Sequence, residues 1–277
     1  MIVYNILAHE QPACVFDLVQ NIAKFNVTHE WRVIVNYSNY LNEAIGHWKM
    51  DNVIVCPRAF DKHWHTYSLL QGLVENWLHV KQIGLTYSHM MFFASNCMFV
   101  TTPPNFEQFD MWDPSSTIED FKAKTSVDYQ ETWNTLAHYE GIDDWHWNFF
   151  TQNKKITSIL NNLPCARFSG AQWEGVIYSQ SVADTILGFI HERDLGHLVN
   201  QEMCFEEFIL PTLEQTFFQS FAKRLCHVAW NREHLTPTVD DIAKIIEQCR
   251  AGISEQCMVK RIPRDLDNPL RRLVNNL

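Results

Sequence analysis

Two adjacent glutamates between apolar residues are the best candidates for acid–base chemistry in the sequence. Glu206 and Glu207 stand between Phe205 and Phe208 at the start of a predicted helix. Neighbouring side chains on a helix point about 100° apart, so one carboxylate can face a pocket while the other faces solvent. A glutamate desolvated by phenylalanines has a raised pKa, which suits a general base. The alternative is that both only stabilise the N-terminal end of the helix dipole.

A basic segment near the end of the sequence is the second candidate. Five of the 22 Lys and Arg residues fall between positions 260 and 272, in a chain of formal net charge −10: Lys260, Arg261, Arg264, Arg271 and Arg272. Arg binds phosphate through paired hydrogen bonds and Lys binds it as a point charge, so this cluster can hold a diphosphate. The alternative is a solvated, fraying tail.

Metal and nucleophilic chemistry have little support. The chain has 13 His, but no H-E-x-x-H motif, and His63, His65 and His146 lack a Cys or carboxylate at standard ligand spacing. We therefore expect no catalytic metal. No G-x-S-x-G motif and no glycine-rich phosphate loop occur. A carboxylate pair for glycoside hydrolysis would require the fold to bring Glu174 and Glu207 together.

Alternating strands and helices must position these residues. Apolar runs predict strands at 2–8, 31–37 and 52–56, and helical spacing predicts helices at 13–25, 39–48 and 66–80. This alternation favours a parallel sheet with helices on both faces. Because ligands bind beyond the carboxyl ends of such strands, His9, Asn36 and Arg58 are further candidates.

The remaining sequence predicts a single domain over 1–277, without a linker between two domains. Residues 81–100 are predicted to be partly helical, although 90–100 could hold a strand. Further predictions are a strand at 174–179 and helices at 180–192, 205–224 and 239–251, with Pro211 as a break or kink. Trp145 and Trp147 lie in an aromatic stretch that stacks on a sugar or covers the core.

Composition limits the class of protein. The 277 residues are 46% hydrophobic and 19% charged, which fits a globular chain, and the acidic balance disfavours nucleic-acid binding. Eight cysteines spread singly predict free thiols in a reducing compartment. Neither a signal peptide nor a run of 18 apolar residues is found, so we expect a cytoplasmic protein without a membrane span.

Several segments, in order, resemble the core-2/I-branching β-1,6-N-acetylglucosaminyltransferase and peptide O-xylosyltransferase family. They are ILAHEQP at 6–12, NVIVCPR at 52–58, YSHMMFFASNCMFV at 87–100, SGAQWEGVIYSQSVADTIL at 169–187, FEEF at 205–208 and VKRIPRDLDNPLR at 259–271. In the middle segment Cys97 replaces the family's Asp, and the following Pro is lost, so the resemblance leaves acceptor contacts there undefined.

The resemblance implies a single-domain α/β fold, GT-A-like, with a mostly parallel central sheet flanked by helices, and an inverting glycosyltransferase that needs no metal cofactor. It implies a nucleotide-binding half (1–100) and an acceptor-binding half with the basic C-terminal tail (101–277). It also implies that Glu207 is the catalytic base, although the register leaves Glu206 open. The other implied contacts are His9, Arg58, Lys260, Arg261 and Arg264 with the nucleotide and its diphosphate, and Trp173, Glu174, Glu206, Trp145 and Trp147 with the acceptor.

The sequence thus predicts transfer of a sugar from a nucleotide sugar, expected to be a UDP-sugar, to a glycan hydroxyl. The expected partners are the nucleotide-sugar donor and the glycan acceptor. Two alternatives stay open: a non-catalytic carbohydrate-binding protein on the same fold, which would not need Glu207, and a metal-dependent transferase or hydrolase, which EDTA would inactivate.

Overall fold

A computed structural model describes residues 1–9, 11–62, 67–106, 173–193, 205–219, 222–227 and 236–277, together with the backbone of two short strands at 131–133 and 168–170. Trp145, Trp147 and the aromatic stretch that contains them lie outside the described residues.

Five strands form the central sheet: β1 (Ile2–Ala8), β2 (Trp31–Tyr37), β3 (Val53–Val55), β4 (His89–Ala94) and β8 (Val176–Ser179). Their order across the sheet is β3-β2-β1-β4-β8. The first four are parallel, and β8 runs antiparallel to β4. The predicted mixed α/β fold with a mostly parallel sheet is therefore confirmed.

Helices cover both faces of the sheet, and every residue of β1 is buried. The helices are α1 (Pro12–Phe25), α2 (Asn42–Ile45), α3 (Ser68–Gln82), α4 (Gln180–Glu192), α5 (Phe205–Phe218), α6 (Val239–Arg250) and α7 (Pro269–Asn276). Val3 and Leu7 of β1 pack with α3, α4 and α5, whereas Tyr4 and Ile6 pack with α1. Both faces are thereby buried.

Two smaller sheets accompany the central one. Strand β10 (Met258–Val259) lies between β5 (Met98–Phe99), to which it is antiparallel, and β9 (Cys226–His227), to which it is parallel. A two-stranded antiparallel sheet pairs β6 (Glu131–Trp133) with β7 (Phe168–Gly170). The three-stranded sheet brings the basic segment against the residues that follow β4.

The C-terminal segment is fastened to α1, so the fraying-tail alternative is wrong. Arg271 is fully buried, and its Nε lies 2.5 Å from Asp17 Oδ2. The same guanidinium donates to the carbonyls of Cys14 and Pro263, each at 3.0 Å. Arg271 is therefore a structural residue, and Arg272 pairs with the exposed Asp267 instead.

The structure decides between the two predictions for 81–100. Beyond the end of α3 at Gln82 the segment contains strands, β4 at 89–94 and β5 at 98–99, so the predicted strand within 90–100 is confirmed and the helical alternative there is wrong. Gly84, at φ 67°, lies just after α3, where a left-handed residue ends a helix. Helix α5 ends at Phe218, not at 224, and it contains Pro211 without ending there. Of the described helices, none is long and apolar enough to cross a membrane.

Candidate active site

The basic segment lies along the carboxyl edge of the central sheet. Val259 pairs with Met98, and the Ile262 amide then donates to the Asn96 carbonyl at 3.0 Å. Arg264 continues this path, with its Nε 3.3 Å from Ser95 Oγ. Since Ser95 directly follows β4, the basic side chains are delivered to the edge where parallel sheets bind ligands.

Arg264 and His9 meet at this edge. The Nη2 of Arg264 lies 3.4 Å from Nε2 of His9, which directly follows β1. Helix α1 begins three residues after His9, with Pro12 in its first turn. A guanidinium, an imidazole and the positive end of a helix dipole together favour an anionic ligand.

Lys260 forms a buried ion pair with Glu174. Lys260 Nζ lies 2.5 Å from Glu174 Oε1, and both side chains are almost completely removed from solvent. Glu207 is close enough to act electrostatically on both partners. Three residues that the sequence could relate only through the resemblance are thus brought together.

Helix α5 adds a third carboxylate to this group. Glu206 is 1% exposed and Glu207 is 8% exposed, so the predicted division between a pocket-facing and a solvent-facing side chain is wrong. Both are buried because α5 packs on the sheet through Phe205, Ile209 and Leu213. We call Glu174, Glu206, Glu207 and Lys260 the carboxylate–lysine cluster.

The cluster holds more acid than one lysine can neutralise. Burial, reinforced by the charge of Glu207, raises the pKa of Glu206 well above its usual value. Burial also raises the pKa of Glu174, with Lys260 opposing and Glu207 adding to the effect. Although burial disfavours its charge, the carboxylates of Glu174 and Glu207 raise the pKa of Lys260. These surroundings therefore favour the charged form of Lys260 and the protonated form of Glu206.

A buried ion pair holds the middle of α5 in place. Glu214 of α5 is fully buried and lies 3.1 Å from Arg224 Nη2. It also accepts from the Tyr178 hydroxyl at 2.5 Å and from the Ala222 amide at 3.0 Å.

Pro211 has no N–H to donate to the Glu207 carbonyl one turn before it, so that carbonyl receives no helical hydrogen bond from residue 211.

Gly175 sets the position of Glu174. Its φ of 76° lies in the left-handed region, and its amide donates to the Phe92 carbonyl at 2.7 Å. A Cβ atom at this position would lie 2.5 Å from both the amide nitrogen and Cβ of Cys226. Only glycine therefore lets residues 174–175 approach strand β9 this closely.

We expect Gly175→Ala to lower the free energy of unfolding by about 1–3 kcal/mol, because the methyl group meets backbone that cannot move away and the left-handed conformation is strained. Chemical denaturation of both proteins measures this difference. Gly252→Ala is the matched control: Gly252 has a φ of 68°, but a Cβ at that position would have no atom within 4 Å. Equal stability of Gly175→Ala and Gly252→Ala would contradict the steric argument.

Arg261 also has a left-handed backbone, with a φ of 70°. A non-glycine residue in this region costs roughly 1–2 kcal/mol, and such strain is concentrated at functional sites. The turn interrupts the extended segment between Lys260 and Ile262, whose amides bond to the carbonyls of His227 and Asn96. Arg261 therefore lies between the carboxylate–lysine cluster and the Arg264–His9 pair.

Two predicted residues have other surroundings. Arg58 forms an ion pair with Glu75 of α3, 2.9 Å away, at a groove of about 500 Å³ that also includes His79 and His191. None of its contacts within the described part of the chain reaches the carboxylate–lysine cluster or the Arg264–His9 pair. Trp173 is buried in the core beside α5, so it supports Glu174 from within the fold. Their roles toward a nucleotide and an acceptor stay predictions.

Sequence reasoning missed Ser95, Ser38 and Lys62 at the same edge. Ser95 and Ser38 follow β4 and β2 directly, so their position after predicted strands was a usable signal. Lys62 has no such signal, because its burial depends on residues distant in sequence.

Within the described ranges, no three His, Cys, Asp or Glu side chains are arranged to hold a metal ion.

No protein-family model and no curated protein sequence matches the chain. The solved structures include a crystal structure of an active-site mutant of LgtC, which aligns with 10% identity over 100% of this chain and 94% of that chain. The TM-score of this alignment is 0.35, too low to support any argument about fold or function. The resemblance to the branching glycosyltransferases therefore stays a prediction.

Proposed function

We propose that the protein is a glycosyltransferase, which transfers a sugar from a nucleotide sugar, expected to be a UDP-sugar, to a hydroxyl of a glycan acceptor. We further propose that transfer inverts the anomeric centre and needs no metal cofactor. The observation that carries the proposal is the carboxylate–lysine cluster, whose Lys260 lies on the same chain segment as Arg264 of the Arg264–His9 pair.

The spacing of these groups suits a donor with a diphosphate. Lys260 and Arg264 are four positions apart in the sequence, so their Cα atoms are at most roughly 14 Å apart. Lys260, Arg261 and Arg264 would bind the diphosphate, with His9 beside the nucleotide. Lys260 is held by Glu174 at one end of this path, and Arg264 is held near Ser95 at the other. Fixed cations stabilise a developing negative charge without having to reorganise.

Glu207 would act as the general base. The acceptor oxygen attacks the anomeric carbon, the bond from that carbon to the phosphate oxygen breaks, and the hydroxyl proton passes to Glu207. The leaving nucleoside diphosphate carries the electron pair of the broken bond, and the basic residues stabilise its charge. Attack from the face opposite the leaving group inverts the centre.

Glu206 and Glu174 would prepare the site for this step. A protonated Glu206 would add no charge that competes with Glu207. Glu174 pairs with Lys260 and holds it beside Glu207. The remaining carboxyl oxygens of Glu174 and Glu206 are buried and have no hydrogen-bond partner among the described residues.

Nucleotide binding by Arg264→Gln tests the proposal. We expect wild-type protein to bind one of UDP, GDP and CMP in calorimetry with EDTA present, and Arg264→Gln to bind it about 10- to 100-fold more weakly, because a charge-assisted hydrogen bond is lost. Arg250→Gln, on the exposed end of α6, is the matched control.

Turnover of the matching nucleotide sugar with a panel of glycan acceptors completes the test, and the anomeric configuration of the product reports inversion or retention. Binding to glycans without turnover would favour a carbohydrate-binding protein on this fold. Activity lost in EDTA and restored by manganese would overturn the metal-independent part of the proposal. Failure to bind any nucleotide would overturn the donor assignment.

A further inference from the structure

Lys62 is a buried lysine at the carboxyl edge of the central sheet. Lys62 is 7% exposed, and its backbone amide donates to the Ser38 hydroxyl at 3.3 Å. Its stem lies against the first turns of α3, where a Cβ on Gly72 would be 3.1 Å from Lys62 Cε. The ammonium lies 4.3 Å from the centre of the Phe60 ring. Neighbours on three sides therefore hold the side chain in place.

The ammonium is poorly satisfied for a buried charge. In the described part of the chain, its hydrogen-bond acceptor is the Phe60 carbonyl at 3.3 Å, although an ammonium has three donors. The nearby titratable groups are Cys56 and Asp61, and both favour its charge. Burial outweighs them and lowers the pKa of Lys62 to about 7. A buried charge with this few partners is costly unless a ligand completes its surroundings.

Lys62 lies close to the Arg264–His9 pair. Leu7 and Ala8 of β1 pair with Asn36 and Tyr37 of β2, so the next pair in this register is His9 with Ser38. The Ser38 amide donates to the Ala8 carbonyl at 2.9 Å, which continues the parallel ladder to this point. Adjacent strands are about 4.8 Å apart. The backbone that holds Lys62 is thus one strand away from His9.

We propose that Lys62 binds a phosphoryl oxygen of the ligand at this edge, together with His9 and Arg264. The inference rests on the proposed function, because the phosphoryl group is that of the nucleotide donor. In this site, Lys62 from the loop after β3 and Arg264 from the C-terminal segment would both bind the anion. An anion bound between them would favour the protonated form of Lys62, so binding would take up a proton near pH 8.

Calorimetry with inorganic pyrophosphate and with UDP at pH 8, in two buffers of different ionisation enthalpy, tests this inference. We expect wild-type protein to take up nearly one proton more per bound anion than Lys62→Met. The variant should bind both anions about 10- to 100-fold more weakly, because a charge-assisted hydrogen bond is lost. It should fold, because methionine fills similar space without a buried charge; Lys62→Gln is the second variant. Lys49→Met, at an exposed lysine, is the control.

The outcomes separate this inference from the proposed function. Lys62-dependent binding of pyrophosphate without turnover of any nucleotide sugar would support Lys62 and overturn the transferase. Equal affinity and equal proton uptake in wild type and Lys62→Met would overturn the role of Lys62 and leave the transferase standing. Absence of pyrophosphate and UDP binding in wild type would overturn the role of Lys62.

Discussion

Glu207→Gln is expected to lower kcat by about 10²- to 10⁴-fold, the contribution typical of a positioned general base. Glutamine keeps the size of the side chain, but its amide is not basic enough to take the proton from the hydroxyl of the glycan acceptor. Nucleotide affinity should change little, because Lys260, Arg261 and Arg264 remain. Steady-state kinetics, with the nucleotide sugar and glycan acceptor found in the binding and turnover tests above, measure kcat. Calorimetry of the free nucleotide measures its affinity.

Glu206→Gln is the matched comparison, since it alters the adjacent buried glutamate of the same helix. Because burial and Glu207 raise the pKa of Glu206 and so favour its neutral form, a neutral glutamine should disturb this position little. We expect its loss in kcat to be at least about tenfold smaller than that of Glu207→Gln, with unchanged or higher stability. The reverse order of the two losses would make Glu206 the base.

Arg271→Ala is expected to lower the free energy of unfolding by about 3–5 kcal/mol. Removing one partner of a buried ion pair leaves the other charge uncompensated, and here Asp17 would lose its guanidinium. The carbonyls of Cys14 and Pro263 would lose a donor as well. Because Pro263 precedes Arg264, nucleotide binding should weaken too. Urea denaturation and calorimetry follow the two effects.

Arg272→Ala is the control for this prediction. Arg272 is the next residue of α7, but it and its partner Asp267 are mostly exposed, and exposed ion pairs contribute about 0–1 kcal/mol. A similar loss of stability in the two variants would mean that α7 is held by apolar packing, through Val274 for example, and not by Arg271.

The central sheet was predictable because its signal is local. Residues 2–8 and 31–37 are mostly apolar, and they form β1 and β2 with the predicted bounds. The segment 81–100 was predicted with two alternatives because 89–94 is apolar at nearly every position; its pairing with β1 and β8 makes it a strand, which confirms the strand alternative. Pro211 does not end α5, because packing of the helix on the core outweighs one lost backbone hydrogen bond.

The candidate site was predictable in part. Glu207 and Lys260 stand out by local chemistry, because the first belongs to a glutamate pair flanked by phenylalanines and the second begins a basic segment. The Glu174–Lys260 pair could not be derived from spacing, since it depends on the close approach of Gly175 to Cys226. Burial of Lys62 is likewise a property of the assembled fold, to which Ser38 and Gly72 contribute from other elements.

The link between α1 and the C-terminal segment has a consequence for synthesis on the ribosome. Asp17 and His9 are made early, but their partners Arg271 and Arg264 emerge more than 200 residues later. At 5–20 residues per second, this interval is roughly 10–50 s. During it, Glu174, Glu206 and Glu207 have no Lys260, and burying uncompensated carboxylates is unfavourable. We therefore expect α5 to dock late, so that a nascent chain stalled before residue 260 carries a folded β1–β4 region without an assembled site.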